Sequence, residues 1–125
     1  MFGKMRIDPL LEVGPKTDVT IAVGALLALT ENTKISRWIQ FPAAVFLFLT
    51  VEGDPNSGAF YLLDRKSATW YSIDFEDEQF GGYSVQHCDE LVRDCEFLAL
   101  VERPGLLRSG LNWVLAPGEV PVAIA

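Results

Sequence analysis

The strongest feature of the hydrophobic pattern is the run from Ala43 to Val51, Ala-Ala-Val-Phe-Leu-Phe-Leu-Thr-Val. It is apolar on both alternating faces and rich in β-formers, which predicts a strand covered on both sides. Pro42 precedes it, and proline is tolerated at a strand start. Gly53-Asp54-Pro55-Asn56-Ser57-Gly58 then gathers the residue types that favour turns. A second strand is expected over Ala59–Asp64 and a third over Thr69–Phe75, joined by Arg65-Lys66-Ser67-Ala68. That connection has no glycine, which disfavours a two-residue primed turn and predicts a four-residue loop. The loop length sets the register: Asp64 opposite Thr69, Leu62 opposite Tyr71, Phe60 opposite Ile73. Phe60, Leu62, Ile73 and Phe75 then share an apolar face, while Trp70, Ser72 and Asp74 share the other with Tyr61 and Leu63.

Two helices are expected to flank this meander. Thr17 or Asp18 is placed to cap one running to about Asn32, although Gly24 and the β-rich start Val19-Thr20-Ile21 weaken it. Ser84 is placed to cap a second, over about 84–95, whose buried stripe is Val85, Cys88, Leu91, Val92 and Cys95. Ile35 to Phe41 fits a partner strand or a short helix, and the pattern does not decide between them. Residues 1–16, with Gly3, Pro9, Gly14 and Pro15, read as an irregular arm. The C-terminal stretch is broken by glycines and prolines. Leu111, Trp113 and Leu115 alternate as in a half-buried strand, and 117–125 form an apolar tail. The expectation is one α+β domain: an antiparallel meander over about 43–75, helices at about 18–32 and 84–95, and a partly extended C-terminal segment.

Composition supports a single folded unit. A chain of 125 residues has the usual size of one domain, and half of its residues are hydrophobic. That is too apolar for a disordered chain. The formal net charge of −7 repels phosphate backbones and anionic membranes, so neither nucleic acid nor a membrane is an expected partner. No apolar run reaches the roughly 20 residues of a membrane-spanning helix. Cys88 and Cys95 on one helix would lie about 10 Å apart, too far for a disulfide. Two unbridged thiols suit a reducing compartment, and a cytoplasmic location is expected.

His87-Cys88-Asp89-Glu90 is where nucleophile, base and acid stand side by side. Adjacent helical residues point about 100° apart, so a buried thiol beside a partly exposed histidine is the expected arrangement, not a catalytic pair. One histidine and two cysteines make a poor zinc set. The acids from Asp74 to Glu78 resemble a calcium loop only superficially. Gln79 stands where that loop needs glycine, and Val85 where it needs a bidentate glutamate. Gly81-Gly82 follows four acids and carries no lysine, which argues against a phosphate cradle. No catalytic, cofactor-binding or metal-ligating set is therefore expected.

Two surfaces point to partners. Trp70, with Asp74, Glu76, Asp77, Glu78, Phe80 and Tyr83, would form an aromatic face rimmed by acids, suited to a basic protein. The bland alternative is that a helix or the arm covers Trp70 and makes it core. The apolar tail Val120–Ala125 suits self-association. The expected function is a small acidic interaction or regulatory module without catalysis, forming a homo-oligomer. One alternative is a small-molecule-binding domain or small enzyme with Asp64, Arg65 and His87 around a pocket between sheet and helices. Another is an acidic inhibitor that mimics nucleic acid.

Overall fold

Five strands and two helices follow one another along the described residues, 5–14, 17–40, 44–75 and 82–94, of the computed structural model. They are β1 (Met5–Glu12), α1 (Val19–Leu29), β2 (Thr33–Gln40), β3 (Ala44–Val51), β4 (Asp54–Asp64), β5 (Thr69–Phe75) and α2 (Val85–Arg93). The strands form one antiparallel sheet in the order β1-β5-β4-β3-β2. The fold is α+β, with the expected meander at its centre and a helix on each face.

The alternation of β3 explains the two layers. Val45, Leu47 and Leu49 pack with Ala22, Val23 and Leu26 of α1 and with Leu63 and Trp70. Phe46 and Phe48 point the other way, into a cluster with Phe60, Leu62, Ile73 and Phe75 that Cys88 and Leu91 of α2 cover. A run apolar on both faces is thus buried on both faces, as its composition predicts. Phe60 is the hub of the second layer, with ring centroids 4.6 Å from Tyr83, 5.1 Å from Phe48 and 5.9 Å from Phe75. The predicted β4–β5 register is the observed one: Phe60 opposite Ile73, Leu62 opposite Tyr71, Asp64 opposite Thr69.

Both helices start on the expected caps. Asp18 accepts the Ile21 amide at 2.8 Å. Ser84 accepts the His87 amide at 3.2 Å, while His87 Nδ1 accepts the Ser84 amide at 3.0 Å. This is a capping box with histidine in the place usually held by Glu or Gln. α1 stops at Leu29, three residues short of the expected end. The Thr30 hydroxyl donates back to the Leu26 carbonyl at 2.9 Å, and Asn32 takes a left-handed φ of 61°.

Three expectations are corrected or resolved. Residues 1–16 do not all form an irregular arm, because Met5–Glu12 is edge strand β1, paired with β5. Pro9 and the register shift between Pro9 and Leu11 break the alternation that would have revealed it, and an edge bulge is where a strand tolerates proline. The undecided segment before Pro42 is β2. β4 begins at Asp54, not Ala59, because the β3–β4 turn is only Glu52-Gly53, with Gly53 at φ 83°. The Asp54 carboxylate accepts the Asn56 amide and the Ser57 hydroxyl, which orders the extra residues between the Val51–Asp54 and Thr50–Gly58 pairs. The tail 117–125, the alternating stretch at Leu111–Leu115 and Cys95 lie outside the described residues.

Candidate functional site

Trp70 and Tyr83 do not meet on one acidic aromatic face. Trp70 is fully buried beneath α1, and its indole Nε1 donates to the Ala22 carbonyl at 2.9 Å. Tyr83 is also buried, but in the opposite layer, where its hydroxyl accepts the Phe75 amide at 3.2 Å. Asp74 shares the Trp70 face by strand alternation and contributes, after burial, to pushing the Tyr61 phenol above its ordinary pKa. Trp70 and Tyr83 therefore serve two different cores. Glu76, Asp77, Glu78 and Phe80 lie outside the described residues.

Asp64, Arg65 and His87 do not share a pocket either. Asp64 is buried at the end of β4, where Oδ1 accepts the Lys66 and Ser67 amides and Oδ2 the Ser67 hydroxyl. It shapes the four-residue turn, which closes through Ala68 at a left-handed φ of 55°. Arg65 lines a hollow of about 220 Å³ beside Thr17, Asp18 and Val19 at the start of α1. His87 stands near the other end of β4, its ring against Tyr83, which bridges Gly58. Asp64 stands six positions along the strand from Gly58, a span of roughly 20 Å.

The His87–Glu90 cluster is separated as helix geometry requires. Cys88 is fully buried in the aromatic layer, and burial, reinforced by Asp89, pushes its thiol up to about 12. His87 caps its own helix. Glu90 accepts from Gln86 at 3.4 Å. Asp89 reaches across to β2, where it holds Arg37 in a two-pronged pair: Nε to Oδ1 at 2.9 Å and Nη2 to Oδ2 at 3.2 Å. Those hydrogen bonds raise the Arg37 pKa above its ordinary value. Among the described residues no group of three His, Cys, Asp or Glu side chains is placed to hold a metal ion. No described helix is long and apolar enough to cross a membrane.

Two features had no reading in the sequence. The first is the junction of β2 with α2. The register of β2 shifts between Ile35 and Arg37, leaving Ser36 as an extra residue whose hydroxyl meets that of Thr50 at 2.6 Å. The bulge puts Arg37 opposite Phe48 and Ile39 opposite Phe46, so both face α2. A hollow of about 180 Å³ opens there, lined by Arg37, Ile39, Asp89, Val92 and Arg93. The one visible signal was the clash of faces around Ile35, Arg37, Trp38 and Ile39, which a strict alternation cannot satisfy. The second is the outer side of α1. Its 11 residues include no charged side chain, and Ile21 and Leu29 are 62% and 50% exposed.

An antiparallel sheet clasped between two helices defines the class of fold. Comparison of the chain with protein-family models, with curated proteins and with solved structures found no match.

Proposed function

We propose that this chain is a non-catalytic interaction module that associates with a second copy of itself through α1. The observation that carries this reading is the outer face of that helix. Ile21, Gly24, Ala25 and Ala28 recur at positions i, i+3, i+4 and i+7, and Leu29 follows at i+8. The exposed Ile21 and Leu29 stand at the two ends of a dip formed by the small residues between them. A methyl placed on Gly24 would meet nothing within 4 Å. A surface helix normally turns charges outward, and this one turns apolar side chains. The face is self-complementary: the large side chains of one copy fit over the dip of the other. With no charge on the helix, the net charge of −7 opposes such contact less here than elsewhere. The non-catalytic part of the reading is supported by the separate structural engagements of His87, Cys88 and Asp89 described above.

Sedimentation velocity over a wide concentration range tests the proposal. The wild-type chain is expected to show a monomer–dimer equilibrium. Ile21→Lys and Leu29→Lys, both at exposed positions, are expected to remain monomeric while keeping the wild-type circular dichroism. A wild-type chain monomeric throughout, or lysine variants that dimerise as well as wild type, would falsify it.

A further inference from the structure

β2 is the last strand of the sheet, and among the described residues no backbone group outside β3 pairs with it. Both edge strands carry a bulge, between Pro9 and Leu11 in β1 and at Ser36 in β2, but β1 is blunted further by its proline, Pro9. β2 contains no proline, and its outward N–H and C=O groups run along Thr33–Gln40 with an interruption at the bulge, where the Ser36 carbonyl accepts from Arg37. Alongside that edge, on the α2 side, lies the hollow of about 180 Å³ between the strand and the helix. Its apolar floor is Ile39, 2% exposed, and the partly buried Val92. A dry cavity of about 150 Å³ holds a benzene ring, so this one has room for a single leucine- or phenylalanine-sized side chain.

The charges around the trough oppose the balance of the whole molecule. Lys34 pairs with Thr50 and so shares the α2 face with Arg37, and Arg93 is exposed in the last turn of α2. The acid in the lining is Asp89, already bound to Arg37. Arg93 thus lines the hollow and Lys34 stands farther along the same face of β2, two cations beside the Arg37–Asp89 pair on a chain of net charge −7.

We propose that this trough receives an extended acidic peptide segment of a partner protein, which adds to the free edge of β2 as a sixth strand. Main-chain hydrogen bonds to β2 supply the general affinity, as in strand addition elsewhere. Selection comes from one apolar side chain seated over Ile39 and Val92, with acidic residues on the same face of the added strand spaced to meet Arg93 beside the hollow and Lys34 towards the start of β2. Charge decides among the occupants. A second copy adding its own β2 would bring Lys34 and Arg37 against the same cations. Residues 95–125 of this chain carry Glu96, Glu102 and Glu119 but also Arg103 and Arg108, a weaker match than an acidic segment.

The experiment uses the full chain and two fluorescein-labelled synthetic peptides, one alternating glutamate and valine around a central leucine, the other with lysine in place of glutamate. Fluorescence anisotropy is expected to show binding of the glutamate peptide alone, weakened by added salt. Lys34→Glu and Arg93→Glu are each expected to weaken it about threefold, the scale of an exposed ion pair. Val92→Trp, which fills the hollow, is expected to abolish it. Amide hydrogen exchange should slow in β2 on peptide addition and remain unchanged in α1. Equal binding of both peptides, or indifference to the two charge reversals, overturns the proposal. Slow exchange throughout β2 in the free monomeric chain overturns it in favour of this chain's own residues 95–125. Slowing with protein concentration alone overturns it in favour of a second copy. Ile21→Lys leaves the peptide binding unchanged, so failure here is separable from failure of the α1 contact.

Discussion

Gly58 offers a sharp test of how the aromatic layer is packed. A Cβ built on it would stand 2.2 Å from Cζ and 2.5 Å from Cε1 of Phe48, and 2.7 Å from the Tyr83 carbonyl oxygen. Ordinary carbon contacts are about 3.5–4.0 Å, so the Phe48 ring would have to retreat by more than 1 Å. It has nowhere to go, since Phe48 is fully buried and Phe60 lies beside it, with Tyr83 and Phe75 behind. Overpacking of this kind costs about 1–3 kcal/mol. Displacing Tyr83 would also weaken the 3.0 Å bond from its amide to the Gly58 carbonyl, worth about 1 kcal/mol. Alanine recovers about 0.5–1 kcal/mol by restricting the unfolded chain. The net expectation for Gly58→Ala is a loss of about 2–3 kcal/mol, or roughly 10 °C in Tm for a domain of this size. Urea unfolding measures it, with an unchanged slope confirming that the denatured state is not the cause. Pairing the change with Phe48→Leu, which withdraws the ring atoms nearest the new methyl, should restore at least about 1 kcal/mol relative to additivity. A Gly58→Ala variant within about 0.5 kcal/mol of wild type, or a strictly additive pair, would refute the packing argument.

The two described tryptophans of the sheet should respond differently. Trp70→Phe removes the bond to the Ala22 carbonyl and a fully buried indole and should cost about 2–3 kcal/mol, whereas Trp38→Phe removes a buried Nε1 that has no acceptor among the described residues and should cost under about 1 kcal/mol. Equal losses in chemical denaturation would contradict this. In a Cys95→Ser background, Cys88 should resist iodoacetamide at pH 8 in the folded chain and react once urea is added. Its folded pKa of about 12 lies above the ordinary value of 9.0, so its contribution to stability is complete below pH 9 and declines as pH rises towards 12, by up to about 4 kcal/mol. A stability profile with the same slope in Cys88→Ser would remove Cys88 as the cause. Asp64→Ala leaves two turn amides and the Ser67 hydroxyl without their acceptor and should cost about 1–2 kcal/mol, with Asp64→Asn retaining part of it. Acidification should loosen the β3–β4 loop, because hydrogen bonds from Ser57 and Asn56 hold Asp54 below its usual pKa. That stabilisation is present above pH 4 and fades as pH falls below 3.8, which loop amide exchange would report.

Local chemistry alone determined a good part of this protein. The doubly apolar run of β3, the glycine-free four-residue loop and the helical spacing from Val85 to Val92 each depend on a few neighbouring residues. The alternation of side chains then dictated the β4–β5 register. The separation of His87 from Cys88 was equally legible, because a helix turns adjacent residues about 100° apart. Tertiary structure alone decided the rest. β1 was hidden because Pro9 and its bulge break the alternation, and only pairing with β5 makes Met5–Glu12 a strand. Whether Trp70 was surface or core was left open by the pattern, and α1 decided it by crossing the sheet and supplying the Ala22 carbonyl from 48 positions away. Arg37 meets Asp89 across 52 positions, and only because the Ser36 bulge turns it to the α2 side. A periodic pattern reports which faces of an element are apolar, but not which distant segment covers them. Where the described residues leave a face or an edge uncovered, as on α1 and along β2, that choice passes to the contacts proposed above.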